Sequence, residues 1–286
     1  MSRPVFRPFR RFAIAAAVCG ATATVSTTGC ATASSVSQEQ EVQMGRQYSG
    51  QINQQLPLVT DPEVNRYINV LGDSLAHVTP RADLNWQFYI VDSPEVNAFA
   101  VPGGFIYVNR GLIERAQNMS QVAGVIGHEI GHVVERHSIK QMAQQQNANL
   151  GLTLGCILTR VCANQAGAAG VQLLGGAVFA RFSRQDEAQA DQQGVIITTK
   201  AGIDPRGIPE MFRILLDERQ SRPDAVSAWF STHPLEEDRI QATQAQIQQT
   251  VPAATLARLT RDTPRFHDFQ NRLRSLPRTP QRRTAQ

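Results

Sequence analysis

The stretch Ser120-Gln121-Val122-Ala123-Gly124-Val125-Ile126-Gly127-His128-Glu129-Ile130-Gly131-His132-Val133-Val134-Glu135 decides how this 286-residue chain is read. Val122, Val125, Ile126, Ile130 and Val133 recur at the helical period, which predicts a helix over about 120–135 with Ser120 as its cap. Inside it, His128-Glu129-Ile130-Gly131-His132 has the HExxH spacing. Residues four apart share a helix face, so both imidazoles can reach one metal ion, while Glu129 projects about 100° round the axis. A zinc ion held by such a pair lowers the pKa of a water towards about 7, and a carboxylate at Glu129 can take the proton. A solvated helix carrying two histidines by chance would have a polar face, and this segment is apolar and contains glycines.

A catalytic zinc site takes three protein ligands and leaves one position open. A third histidine six residues after the second is excluded, because Ser138 stands there and Glu135 occupies the place of the accompanying glycine. His137 is rotated well away from the ligand face, and it reads as a structural helix-end residue. A second helix, expected over 184–200, offers a carboxylate instead. In Ser183-Arg184-Gln185-Asp186-Glu187-Ala188-Gln189-Ala190-Asp191, Glu187 and Asp191 are four apart on one face. Glu187 can bind zinc while Asp191 accepts from the far nitrogen of a ligand histidine and fixes its tautomer. Alone, an ExxxD segment is usually a solvated face; the upstream HExxH is what lifts it.

Together these motifs resemble the zinc peptidase family of the CAAX prenyl endopeptidases and the HtpX heat-shock protease. The resemblance rests on HEIGH followed by Val-Val-Glu-Arg-His-Ser, on SRxxExxAD, on Asn97-Ala98-Phe99-Ala100-Val101-Pro102-Gly103-Gly104, and on Ser231-Thr232-His233-Pro234 with Arg239 following. It spans roughly residues 40–250 and is closest to short, exported members, because the membrane-spanning helices of others are missing. The resemblance implies an α+β, mostly helical gluzincin fold with a small sheet and one zinc per chain. It implies an edge strand at Asn97, Ala98 and Phe99 that pairs with an extended substrate; ordinary hairpin packing is the plainer explanation of those residues. It also places His233 and Arg239 near the metal, either stabilising an oxyanion or, for His233, capping the resting ion as an extra ligand.

Composition narrows the function classes. Of 28 Lys and Arg, four arginines lie in the first eleven residues and eight between Arg258 and Arg283; the body between them carries 16 basic against 22 acidic residues. A nucleic-acid surface is therefore not expected. The leading arginines precede an apolar stretch, Phe12 to Val25, too short for a comfortable membrane span, and then Thr28-Gly29-Cys30. This order suggests a signal peptide over 1–29, a lipidated Cys30, and a tether over 30–37, although Thr27 stands where a lipobox usually has leucine. In an oxidising compartment Cys156 and Cys162 could close a disulfide, the alternative being two buried thiols.

Periodicity predicts helices over 38–55, 62–77, 209–219 and from Pro234 to about 249, a strand over 86–91, and a hairpin from 96–101 and 105–109 around Pro102-Gly103-Gly104. Residues 150–182 read as a packed helical hairpin or a lid rather than a membrane span. A peptidase domain is expected over 38–250, and an Arg-rich, loosely ordered tail over 251–286. Two functions fit: a periplasmic endopeptidase, anchored to the outer membrane through lipid and acting on unfolded envelope proteins or peptides, or a latent metal-containing chaperone that binds clients with little cleavage. A weaker third gives the tail an affinity for anionic lipid or polymer.

Overall fold

Period-two alternation in three short strands sets up two faces for the helices to cover. The computed structural model describes residues 36–148, 181–234 and 237–279. β1 (Gln87–Val91), β2 (Ala98–Val101) and β3 (Phe105–Asn109) lie in the order β1-β3-β2. β1 is parallel to β3, with Gln87 opposite Phe105, and β2 is antiparallel to it, with Ala98 opposite Val108. Gly103 and Gly104, at φ 82° and 99°, close the expected β2–β3 hairpin in a left-handed conformation that a Cβ disfavours.

Phe88, Ile90, Ala98, Ala100, Ile106 and Val108 face the main core, which they share with α2 (Pro62–Ala76) and α4 (Met119–Val134). Val91, Phe99, Val101, Phe105 and Tyr107 face the opposite way, onto Tyr48 of α1 (Gln38–Gln55). With both faces covered, the strands are buried at nearly every position rather than at alternate ones. The arrangement is mostly helical with a small three-stranded sheet, the α+β class expected.

Helix starts follow side-chain caps. Ser37 and Gln40 form a capping box for α1, and Asp61 followed by Pro62 starts α2. The cap of α4 is Asn118, whose side chain accepts from Gln121 N, and not Ser120, which lies buried inside the first turn. Among the helices the sequence reading did not expect are α3 (Arg110–Arg115) and α8 (Pro223–Thr232). α5 (His137–Ala148) follows α4 directly.

Every residue of α4 from Met119 to Val133 is buried, so this helix is central rather than amphipathic. One side meets the sheet and α2; the other meets α6 (Arg184–Lys200) and α7 (Gly207–Ser221). Close approach to α6 depends on missing side chains. A Cβ on Gly131 would stand 2.9 Å from Ala190 O and 3.0 Å from Gln193 Cβ. Gly131→Val is therefore expected to force the two motif helices apart, lowering the melting temperature and zinc affinity together; differential scanning calorimetry and zinc titration check this.

The tail expectation is corrected. After α9 (Glu237–Thr250), the chain forms α10 (Ala253–Leu256) and α11 (Pro264–Ser275), and Phe266, Phe269 and Leu273 are buried in the main core. Thr263 caps α11, and Tyr67 of α2 stacks on Phe269 at 4.3 Å. Arg110, 1% exposed at its side chain, donates to Leu273 O at 2.6 Å and Leu276 O at 2.9 Å while pairing with Asp92 and Glu114. The ordered domain thus runs past 250, because an apolar stripe and a buried guanidinium outweigh the polar, Arg-rich composition.

Arg272 of α11 also binds Asp61, with hydrogen bonds of 2.8 Å, and holds its pKa at about 2, down from 3.8. A carboxylate with a depressed folded-state pKa stabilises fully above its unfolded value and loses that contribution as pH falls through the folded one. Arg272→Ala is accordingly expected to flatten the acid-unfolding profile between about pH 4 and 2.

Cys30, the residues read as leader and most of the tether, and the 150–182 segment with Cys156 and Cys162 lie outside the described residues, Arg181 and Phe182 excepted. No described helix is long and apolar enough to cross a membrane.

Candidate active site

α4 and α6 pack side by side, and the helical spacing of each motif then aims three groups at one point. His128 and His132 project from α4 and Glu187 from α6, and their Nε2 and Oε atoms converge. His128 Nε2 and His132 Nε2 are 3.0 Å apart; Glu187 Oε1 is 3.5 Å from His132 Nε2, and Oε2 is 3.7 Å from His128 Nε2. His233, at the C-terminal cap of α8, brings Nδ1 within 3.0 Å of Glu187 Oε1 and 3.5 Å of His128 Nε2. All four residues are buried, and their candidate ligand atoms lie within 4.8 Å of one another. Glu129 sits beside them, its Oε1 3.6 Å from His233 Nε2, with neither carboxylate oxygen hydrogen-bonded.

The surrounding bonds orient these groups. His128 Nδ1 donates to Asp191 Oδ1 at 2.8 Å, which leaves Nε2 with its lone pair towards the cluster. Arg239, near the start of α9, donates to both oxygens of Asp191 at 2.7 and 2.8 Å, reaches Glu187 Oε2 at 2.5 Å, and also donates to Pro234 O. All three guanidinium nitrogens are thereby engaged, and the group lies over Phe212 at 4.8 Å. Phe182 stacks on His132 at 4.0 Å and Trp229 on His233 at 4.6 Å, enclosing the rings in apolar surface.

Electrostatics follow from burial and neighbours. Burial pushes the Glu129 carboxyl above its ordinary value, and His233 and His128 only partly oppose it. Burial acts the same way on Glu187, but His233 and Arg239 outweigh it and hold that group below the ordinary value. Asp191 is likewise held low against burial by Arg239 and His128. Burial, reinforced by His128, drives His132 well below its usual pKa. For His233 burial opposes the charged form, yet Glu187 and Glu129 prevail and raise it. Two carboxylates in one pocket are therefore pushed apart, one towards proton exchange and one towards permanent charge.

The sequence profile of peptidase family M48 matches residues 62–247. This chain belongs to peptidase family M48. It is 34% identical over 235 residues to the beta-barrel assembly-enhancing protease of Escherichia coli (strain K12), which covers 78% of this chain and 47% of that protein. It is 31% identical over 232 residues to the putative beta-barrel assembly-enhancing protease of Vibrio cholerae, with the same coverages. It is 27% identical over 211 residues to the mitochondrial metalloendopeptidase OMA1 of Schizosaccharomyces pombe, 73% of this chain and 59% of that one. The chain spans about half the length of the curated relatives it matches.

M48 is a family of zinc-dependent metallopeptidases, and the residues present fit that ion. Two nitrogens about 2.05 Å from one zinc at a tetrahedral angle lie about 3.3 Å apart, close to the separations found here. The set is two imidazoles, that of His132 held neutral by burial, plus a carboxylate held ionised. The buried, unpartnered oxygens of Glu129 supply the group that a polar neighbour is needed to satisfy.

In this M48 chain the residues singled out in the sequence, His128, Glu129, His132, Glu187, Asp191, His233 and Arg239, lie together in one cluster. It missed His137. α4 stops at Val134, and Arg136 takes a left-handed φ of 57° that turns the chain back. His137 Nδ1 then meets His132 Nδ1 at 2.9 Å. Because a non-glycine residue makes the turn, the usual sequence signal for it was missing. Phe182 and Trp229 were also not singled out, as aromatic packing leaves no local motif. His77 and His267 lie outside the cluster and bond locally to Asp73 O and Asp262.

Proposed function

We propose that this chain is a zinc endopeptidase in which His128, His132 and Glu187 hold the metal and Glu129 is the general base. The observation that carries the proposal is the convergence of those three ligand atoms beside a buried carboxylate that has no hydrogen-bond partner among the described residues. Bound zinc supplies the Lewis acidity that activates a water and polarises a peptide carbonyl. Glu129, raised by burial, accepts a proton from the attacking water and later returns it to the leaving nitrogen. His233 Nε2, 3.6 Å from Glu129, is placed to donate to the developing oxyanion. Arg239 acts through Glu187 and Asp191, since all its nitrogens are occupied; Asp191 fixes the His128 tautomer.

β2 is the edge of the sheet opposite β1. Asn109 N donates to Asn97 O, and strand alternation turns the amides and carbonyls of Ala98 and Ala100 to the outer side. An extended substrate pairing there alongside Asn97, Ala98 and Phe99 would lie next to α4, which packs on β2.

Substrates are proposed to be unfolded or misassembled cell-envelope proteins, by likeness to relatives named for β-barrel assembly. The Arg-rich, apolar start ending in Gly29-Cys30 supports export to the periplasm and a lipid anchor on the outer membrane, with 1–29 removed and 30–37 as tether. A disulfide between Cys156 and Cys162 is part of that proposal.

The purified chain is expected to cleave casein, and to lose that activity in 1,10-phenanthroline and regain it with added zinc. Cleavage indifferent to the chelator would refute a zinc mechanism. A second, latent chaperone-like function is favoured by one observation: His233 Nδ1 lies among the ligand atoms and can fill the open position. His233→Ala should then raise casein cleavage; a fall assigns His233 to catalysis instead.

A further inference from the structure

His132 has an unusual neighbour. Its Nδ1 faces another imidazole nitrogen, His137 Nδ1, at 2.9 Å, where His128 Nδ1 faces the carboxylate of Asp191. His137 is 1% exposed, and its other nitrogen, Nε2, lies 3.0 Å from Gln189 Oε1 on α6. Gln189 stands between Glu187 and Asp191 in sequence, and reaches the cluster through His137. We infer that Gln189 and His137 form a relay that positions His132, fixing the tautomer in which Nε2 is presented to the metal. This rests on the proposed role of His132 as a ligand.

The proton arrangement is determinate. An imidazole that ligates through Nε2 carries its proton on Nδ1. His132 Nδ1–H must therefore donate to His137, whose Nδ1 must accept. A neutral His137 with an accepting Nδ1 carries its own proton on Nε2, and the amide oxygen of Gln189 is placed to receive it. The alternative arrangement, with His137 donating to His132, would put the His132 proton on Nε2 and leave Gln189 Oε1 facing a lone pair. His128 is thus oriented directly by a carboxylate, and His132 by an imidazole whose far nitrogen meets the Gln189 amide, with Asp186 Oδ1 3.6 Å away.

The backbone places His137 for this task. Arg136 adopts a left-handed conformation that a Cβ disfavours, and its side chain is held there by Glu41 Oε2 at 2.8 Å and Val36 O at 2.6 Å. Glu41 in turn pairs with Arg81, itself bound to Val133 O at the end of α4. The chain reversal that brings His137 beneath His132 is built into the core rather than left to a mobile loop.

The test is zinc affinity of the full chain, measured by competition with a chromophoric chelator and without substrate. His137→Phe keeps the ring volume and removes the acceptor; about a 10–100-fold weaker affinity is expected, the usual loss for a residue that orients a ligand. His137→Asn places a carbonyl oxygen near the Nδ1 position and should recover most of that loss. Gln189→Met should weaken binding by less than His137→Phe. Wild-type affinity in His137→Phe, or an Asn variant no tighter than Phe, would overturn the relay. If His137→Phe does not fold, Gln189→Met decides, and wild-type affinity there overturns it equally. His132→Ala separates the two proposals: a parent that binds no zinc, or full affinity in His132→Ala, refutes the ligand assignment instead.

Discussion

Glu129→Gln is expected to lower casein cleavage by about 10²–10⁴-fold while zinc content stays at about one per chain. Glutamine keeps the volume and can still hydrogen-bond, but it cannot accept a proton. The site is built so that this loss is large. Both Glu129 oxygens are buried without hydrogen-bond partners among the described residues, so none of these commits the carboxylate to a structural bond. Burial raises its pKa above the ordinary value of 4.5, nearer to the range in which a base exchanges protons efficiently. The fall should appear in kcat, with little change in KM, as expected for an interaction used mainly in the transition state. Zinc lost in parallel would make Glu129 a ligand, and unchanged cleavage would remove it from the chemistry. In cells, a phenotype lost with Glu129→Gln supports the peptidase, and one retained supports the client-holding function.

Truncation after Pro252 should abolish cooperative folding. Phe266, Phe269 and Leu273 are buried in the main core, and burying three such side chains contributes about 5–9 kcal/mol. That is comparable with the whole stability of a typical domain, about 5–15 kcal/mol. The deletion also strips Arg110 of its carbonyl acceptors and removes Gln270, whose Nε2 donates to Ile113 O and Ala116 O at the end of α3. A buried guanidinium left short of partners adds to the loss. Circular dichroism melting reads the result. A truncated chain melting at the parent temperature would show that α11 is peripheral, and would reopen a surface role for the tail. In the described part of that tail, Arg272, Arg274 and Arg278 already bind groups of the same domain, which argues against it.

How far the sequence reading reached depended on whether a feature was local. HExxH and ExxxD are statements about spacing along a helix, and helical geometry converts them directly into shared faces. The hairpin was legible for the same reason, since Pro102-Gly103-Gly104 demands a turn. Where the cluster depended on a chain reversal, local spacing misled. His137 looks rotated away from the ligand face only while α4 is assumed to continue, and Arg136 ends it without a glycine to announce the turn. The C-terminal helix was hidden by composition, although Phe266, Phe269 and Leu273 at helical spacing behind Thr263-Pro264 were present to be read. Arg110 had no signal at all. A buried arginine is defined by what surrounds it, and its carbonyl partners lie more than 160 residues along the chain.

The most direct test of the central claim is the zinc content of the purified chain and of Glu187→Ala after dialysis against a weak chelator. About one zinc per chain in the parent, and little in Glu187→Ala, is the expected result. A parent that retains no zinc, or a Glu187→Ala chain that retains all of it, would contradict the ligand set of His128, His132 and Glu187.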